Sequence, residues 1–150
     1  MDTSETYIKM CEKAEEIQDG WDIADWDYCY CEKGERVVVL SGYETDGGFY
    51  GHGVETDFWE EGKPNKIICN EDSDVHIWLP RQDQLQEMVG DWEKQIEILD
   101  DWLGNAYDPP SFKGNYWCIN NLTSMEQLWL AFVMKEKYNK VWNGEEWITI

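Results

Sequence analysis

Residues 124–148 read SMEQLWLAFVMKEKYNKVWNGEEWI, and this stretch decides the fold class. Its first part repeats apolar residues at helical spacing and predicts a helix from 124 to 138. Thr123 and Glu126 have capping-box spacing at the start of that helix. Its predicted buried face comprises Met125, Leu128, Trp129, Phe132 and Val133. The second part predicts a β-hairpin around Asn143-Gly144. A helix followed by an antiparallel hairpin indicates an α+β protein.

Two further helices are predicted on the N-terminal side of this stretch. The segment 82–104 is the most periodic of the chain, with apolar residues every three or four positions over its whole length. Pro80 precedes it, Gly104 ends it, and Gly90 lies inside it. The segment 3–19 has the same periodicity, with Asp2 and Glu5 spaced as a capping box. Its predicted apolar face comprises Tyr7, Met10, Cys11, Ala14 and Ile17.

The residues between these helices predict a β-rich region. Short runs of aromatic and β-branched residues indicate strands at 27–31, 36–40, 66–69 and 76–79, with another at 116–119. A loop with five glycines follows the second run and spans 41–53. The sequence therefore predicts an α+β fold in which three helices pack on short antiparallel β-hairpins, in a single domain covering residues 1–150.

The charge of the chain is strongly negative. Its 32 acidic and 12 basic residues give a formal net charge of −20. Such a protein repels nucleic acid and anionic membranes and attracts basic surfaces. The excess lies in the first 110 residues, because the last forty hold four acids and four bases. We therefore expect a basic protein partner, with no direct binding to nucleic acid or membrane. Solubility alone also accounts for an acidic surface, and both interpretations stay open.

Three groups of residues are candidates for contact with a partner. Asp83, Glu87 and Asp91 recur every four residues, so they would form a like-charge stripe that slightly weakens the predicted helix 82–104. A second group consists of aromatic residues in the glycine-rich loop: Tyr43, Phe49 and Tyr50. The third group is an acidic segment around a tryptophan: Asp22, Asp25, Trp26 and Asp27. Tryptophans anchor many interfaces, so we expect partial exposure of those flanked by acids: Trp21, Trp26 and Trp59.

The sequence predicts no catalytic residue, metal site or cofactor. Structural zinc normally requires cysteines two to four residues apart, whereas Cys29 and Cys31 are separated by one residue. In a strand that spacing points both side chains to one face, as core packing also requires. The run Asn70–Asp74 resembles the start of a calcium loop but lacks the later glycine and glutamate. We therefore expect a protein that is not an enzyme.

The cysteine count and the N-terminus bear on location. Five cysteines, an odd number, and no signal peptide are typical of a reducing cytoplasm. In such a compartment the thiols stay reduced. The expected location is therefore the cytoplasm, and the resemblance described next makes it that of a bacterial host cell.

The segments WLPRQDQLQEMV (78–89) and SMEQLWLAFVMKEKYNKVWNGEEWI (124–148) resemble those of small uncharacterised proteins encoded by bacteriophages and prophages of Gram-positive bacteria. That resemblance implies no activity and no catalytic residue. It implies a context in which small phage proteins act on host machinery, including defence nucleases. We therefore expect a phage-encoded inhibitor of a nucleic-acid-binding defence protein, such as a CRISPR effector or another nuclease, that mimics DNA or RNA in a basic channel. The alternatives are a protein that sequesters a small signalling molecule, a small enzyme and a phage structural or assembly protein.

Overall fold

The computed structural model describes residues 1–22, 24–32, 35–43, 48–53, 67–70, 76–90, 94, 96–100 and 121–150, with the backbone alone from 41 to 70. The chain divides into two compact units, residues 1–17 with 80–150 and residues 18–79. We call them the helical unit and the sheet unit. Helices and antiparallel strands occur together, so the predicted α+β class is confirmed. The single domain stays a prediction.

The helices are shorter than the sequence periodicity indicates. They are α1 (Glu5–Glu12), α2 (Glu15–Gln18), α3 (Gln82–Val89) and α4 (Met125–Tyr138), and residues 96–100 are also helical. The predicted helix 3–19 is interrupted after Glu12, although its whole predicted apolar face is buried. Its N-cap is Ser4 rather than Asp2, because the Ser4 hydroxyl accepts a hydrogen bond from the backbone N–H of Tyr7 at 3.2 Å.

The predicted continuous helix 82–104 is wrong, because α3 ends at Val89. Gly90 has a φ of +92°, which no residue of a right-handed helix adopts. A Cβ at Gly90 would meet no atom within 4 Å, so its backbone angle rather than crowding favours glycine. Leu85 is buried before this break, whereas Ile96 beyond it is 56% exposed. The predicted apolar stripe therefore does not form one buried face.

Helix α4 provides much of the core of the helical unit. Its middle turns are buried on all sides, with Trp129, Leu130, Ala131, Phe132, Val133 and Met134 inside. Met125 was predicted to be buried but is 47% exposed. Ser124, not Thr123, is the N-cap, since its Oγ accepts from the Gln127 N–H at 3.1 Å. Asn139 ends the helix in the left-handed conformation, with a φ of 54°.

The C-terminal hairpin is confirmed. Strands β6 (Lys140–Trp142) and β7 (Trp147–Thr149) are antiparallel, and Trp142 lies opposite Trp147 with ring centroids 5.0 Å apart. Four residues, 143–146, form the connection, in which the Asn143 side chain accepts from two backbone N–H groups at 2.8 and 2.9 Å. The Trp147 indole donates to the Met10 carbonyl at 2.9 Å, which ties the hairpin to α1.

The sheet unit is built on five antiparallel strands. They are β1 (Tyr28–Cys31), β2 (Arg36–Tyr43), β3 (Gly48–Gly53), β4 (Ile67–Asn70) and β5 (His76–Leu79), in the order β4-β3-β2-β1-β5. The predicted loop 41–53 is therefore mostly strand. The pairing of β2 with β3 shifts register between Leu40 and Tyr43, as at a β-bulge, and the glycine-rich residues on both sides of this shift are paired.

The outer edge of β5 is covered by a side chain. The Gln18 amide accepts from the Trp78 N–H at 2.9 Å and donates to the Trp78 carbonyl at 3.1 Å. It thus replaces a neighbouring strand at that position, which protects an edge that would otherwise attract another chain. In the core of this unit Cys29 and Cys31 pack with Val38 and Leu40. In the part of the chain that is described, no helix has both the length and the apolar character needed to span a bilayer.

Candidate protein-binding surface

A buried carboxylate organises the acidic segment that precedes β1. Asp27 is 1% exposed, and its Oδ2 accepts from the Trp21 indole at 2.9 Å and from the Ala24 N–H at 3.0 Å. Charge-assisted hydrogen bonds of this kind are stronger than neutral ones. The expectation that Asp27 presents its charge to a partner is therefore corrected, because the fold uses that carboxylate internally to hold the turn.

The backbone of this turn is joined to β2. The Trp26 N–H donates to the Leu40 carbonyl at 2.8 Å, and the Leu40 N–H donates to the Asp27 carbonyl at 2.8 Å. The Asp27 N–H donates to Ala24 at 3.2 Å and closes the turn. We call residues 24–27 the Trp26 turn. These bonds continue the ladder between β1 and β2 and fix the turn to the sheet.

Trp26 is held in an unusual conformation. Its φ of 71° lies in the left-handed region, which is unfavourable for a bulky residue. Such strain persists when surrounding interactions impose it, and it is concentrated at functional sites. Its side chain is 67% exposed, whereas Trp21 stacks on Trp78 with the ring centroids 5.8 Å apart. The fold therefore presents one indole to solvent and holds another against the sheet.

The surroundings of Trp26 are acidic. Asp22 and Asp25 are exposed, and their contact with a partner stays a prediction. Residues 18–79 hold 15 acids and 4 bases. Of those bases, Arg36 is the one whose side chain is described. The Trp26 turn therefore combines an exposed aromatic ring with the exposed carboxylate of Asp25, and the exposed Asp22 lies just before it.

The predicted acidic stripe of Asp83, Glu87 and Asp91 is described only in part. Asp83 and Glu87 are exposed on α3, but the helix ends before Asp91, which lies outside the described residues. The stripe on one continuous helix is therefore wrong. Arg81 Nε lies 3.1 Å from Asp83 Oδ1. Slight burial raises the pKa of Asp83, but the hydrogen bond and charge of Arg81 lower it more, so the net shift is downward.

The aromatic residues of the predicted loop lie on strands. Tyr43 is in β2, and Phe49 and Tyr50 are in β3, with Tyr43 opposite Phe49. Their side chains, and the whole of Trp59, lie outside the described residues. Contact between these aromatics and a partner stays a prediction.

The cysteines whose side chains are described belong to the core. Cys11, Cys29 and Cys31 are buried thiols, and burial raises the pKa of Cys11 far above its ordinary value. Within the described ranges, no group of three or more histidine, cysteine, aspartate or glutamate side chains could hold a metal ion. The side chains of Cys69, Cys118 and His52 lie outside those ranges.

Sequence reasoning found the acidic segment but missed how it is organised. The burial of Asp27 depends on Trp21, six residues away, and on the ladder contact to Leu40. The one available signal was the position of Asp27 directly before a strand. Comparisons of the chain with protein families, curated proteins and solved structures found no match.

Proposed function

We propose that the protein binds a basic, nucleic-acid-binding defence protein of a bacterial host and occupies the surface that a phosphate backbone would contact. It is an inhibitor encoded by a phage, and a CRISPR effector or another nuclease is its target. The observation that carries the proposal is the Trp26 turn, where an exposed indole follows the exposed carboxylates of Asp22 and Asp25 along the chain.

Electrostatics supports this proposal. Nucleic-acid channels are lined with lysine and arginine, which a net charge of −20 attracts over several ångströms at moderate salt. The same charge opposes binding to DNA or RNA, since both partners are polyanions. A protein of this composition is therefore suited to contact nucleic-acid-binding proteins in place of their ligand.

Tryptophan adds what charge alone does not provide. Charged residues at an interface mainly raise the association rate and select the partner, while buried aromatic anchors supply much of the affinity. Trp26 is exposed, and hydrogen bonds fix the backbone of its turn, so a partner that buries the ring does not have to order that backbone as well. The turn therefore offers both components of a binding surface.

The proposal is tested with a panel of guide-loaded CRISPR effectors, restriction endonucleases and recombination nucleases. We expect the protein to inhibit cleavage by at least one of them and to compete with DNA in an electrophoretic assay. Inhibition weakens as salt increases, because the contact is electrostatic. Increasing the DNA concentration should restore cleavage.

Two results contradict the proposal. One is the absence of any effect across the panel at low salt with the protein in large excess. The other is a ternary complex in which an inhibited nuclease holds DNA and the protein at once with unchanged affinity for each. The second result would exclude mimicry while leaving an interaction in place.

A further inference from the structure

We infer that Asn143 is a site of spontaneous covalent modification, at which the backbone nitrogen of Gly144 displaces the side-chain amide and converts the asparagine to aspartate and isoaspartate. This inference goes beyond the proposed function and does not depend on it. The juxtaposition that carries it is a side-chain carbonyl bound by two backbone N–H groups, in the one Asn-Gly pair of the chain.

The Asn143 side chain is folded back over the connection between β6 and β7. Its Oδ1 accepts hydrogen bonds from the N–H groups of Glu145 and Glu146, at 2.8 and 2.9 Å. Asparagine forms such bonds when its side chain turns toward the backbone that follows it. The side-chain carbonyl carbon, Cγ, is therefore turned toward the peptide nitrogen of Gly144, which is the nucleophile.

The same two hydrogen bonds assist attack on the side chain. When the Gly144 nitrogen bonds to the Asn143 Cγ, negative charge develops on Oδ1 in the tetrahedral intermediate. Backbone N–H groups about 2.7–3.1 Å from such an oxygen stabilise it, as in the oxyanion holes of acyl-transfer enzymes. The bonds from Glu145 and Glu146 have this length, so the folded hairpin lowers the barrier to the attack.

The reaction consumes nothing beyond the chain and water. The bond between Cγ and the side-chain nitrogen breaks, and that nitrogen leaves as ammonia with the proton of the Gly144 N–H. A cyclic imide remains, and water adds to one of its two carbonyls. Cleavage of the bond from nitrogen to Cγ gives aspartate, whereas cleavage of the main-chain bond gives isoaspartate, in which the backbone runs through the side chain.

A glycine after Asn143 favours this reaction. Gly144 has a φ of 105°, which side chains with a Cβ rarely adopt, and glycine leaves its nitrogen open to close approach. Asn139, at the base of the same hairpin, provides the contrast. It is followed by Lys140, and its side-chain amide donates to the Ile150 carbonyl. We therefore expect Asn139 to persist where Asn143 is converted.

The two products affect the hairpin differently. Aspartate adds a negative charge but keeps an oxygen for the two N–H groups. Isoaspartate adds an extra backbone carbon to the connection, which displaces Trp147 from Trp142, its partner across the ladder with ring centroids 5.0 Å apart. That displacement strains the bond from the Trp147 indole to the Met10 carbonyl. Isoaspartate should therefore loosen the hairpin from α1.

The test incubates the protein at mildly alkaline pH and follows the peptide that contains Asn143 by mass and by chromatographic separation of the two products. Glu145→Pro removes one of the two N–H donors. Glu145→Gln is the matched control, because it loses the same carboxylate, which lies 3.5 Å from the Lys9 Nζ, but keeps the N–H. Amide spectra establish that each variant is folded, and the parent in guanidinium chloride gives the rate without the fold.

We expect the folded parent to convert Asn143 at least about tenfold faster than Asn139, and faster than the unfolded parent does. Glu145→Pro should slow the conversion by about tenfold or more, and Glu145→Gln should leave it within about twofold. Slower conversion in the folded parent than in the unfolded chain would overturn the inference, and so would an unchanged rate in a folded Glu145→Pro. If Glu145→Pro does not fold, the comparison of folded with unfolded parent decides.

Discussion

The helical unit and the sheet unit carry similar net charges but use their described carboxylates differently. The helical unit has 17 acids and 8 bases, and the sheet unit has 15 and 4. In the helical unit, five of the described basic side chains pair with carboxylates: Lys9–Glu145, Lys13–Glu12, Arg81–Asp83, Lys135–Glu136 and Lys140–Glu16. In the sheet unit, Arg36 is the one basic residue whose side chain is described. Net charge alone does not locate a binding surface, because ion-paired carboxylates count toward it although their charge is already balanced.

Each unit also uses one carboxylate as an internal anchor. In the helical unit, Asp2 accepts from the Ser4 N–H at 2.8 Å, from the Ser124 hydroxyl at 2.5 Å and from the Gln127 amide at 2.8 Å. Asp2 thereby joins the N-termini of α1 and α4, where a negative charge is favourable. In the sheet unit, Asp27 anchors a turn that presents other carboxylates. One anchor stabilises packing, and the other positions a surface.

The largest expected effect on stability lies in the helical core. Phe132 is fully buried and packs edge-on against Trp129. Phe132→Ala should lower the free energy of unfolding by about 3–5 kcal/mol, because it removes apolar contact and leaves a cavity. Urea denaturation measures this loss, with Phe132→Leu as a milder control. A loss as small as that of Phe132→Leu would show that Phe132 does not fill the core as its burial indicates.

Asp27→Ala should have the next largest effect. It leaves the Trp21 indole and the Ala24 N–H without their acceptor, which costs about 3 kcal/mol by analogy with other hydrogen bonds to charged groups. Asp27→Asn retains one acceptor oxygen and should cost less. Both should disturb the Trp26 turn, which amide chemical shifts of residues 24–27 would reveal. Unchanged shifts in Asp27→Ala would show that the turn does not depend on this carboxylate.

These two sites show what sequence could and could not predict. Helix α4, the buried face of α1 and the C-terminal hairpin follow from local periodicity, so they could be predicted. The end of α3 at Gly90 could not, because a glycine inside a periodic segment costs only about 1 kcal/mol and is often tolerated. The pairing of β5 with β1 joins residues distant in sequence. A pattern of neighbouring residues cannot predict such a long-range pairing.

The candidate site was predicted in part for the same reason. Composition and spacing locate acids and tryptophans, so Asp22, Asp25 and Trp26 were found. Whether a given acid is buried depends on partners that tertiary structure supplies, as Trp21 does for Asp27. The counter-charge of Arg81 on Asp83 depends on side-chain geometry at the start of α3. Charge counting does not include that geometry.

The hydrogen-bonded carboxylate of Asp2 should make the stability of the fold depend on pH in the acidic range. Burial raises the pKa of Asp2, but hydrogen bonds from Ser124, Ser4 and Gln127 together lower it by more, so its pKa in the folded protein lies below the ordinary 3.8. The contribution of Asp2 to the free energy of unfolding is fully present above pH 3.8. It is lost as the pH falls from there through the pKa of Asp2 in the folded protein.

Thermal unfolding of the parent and of Asp2→Asn at a series of pH values tests this dependence. The variant should lose less stability than the parent below the ordinary pKa of an aspartate. Asp83→Asn is the control for a carboxylate whose pKa is also lowered but which is exposed and paired with Arg81. Parallel curves for the parent and Asp2→Asn would show that Asp2 is not an electrostatic anchor.

The smallest expected effect concerns Trp26 itself. Trp26→Asn removes a bulky residue from a left-handed angle, so the free energy of unfolding should stay equal or rise by up to about 1 kcal/mol. Chemical denaturation would measure the change. A loss of more than about 2 kcal/mol would show that the indole supports the fold, because burial of a large side chain is worth about that much.

The central claim is that the position of the carboxylates, and not their number, makes the surface. The direct test is a titration of an arginine nonamer, which stands in for a basic partner surface, into two double variants that each remove two negative charges. Asp22→Asn with Asp25→Asn removes them beside the Trp26 turn, and Glu136→Gln with Glu145→Gln removes exposed, ion-paired charges of the helical unit. We predict that the first variant binds at least about fivefold more weakly than the parent and that the second stays within about twofold. Equal weakening of both would contradict the claim, because the protein would then act through its total charge alone.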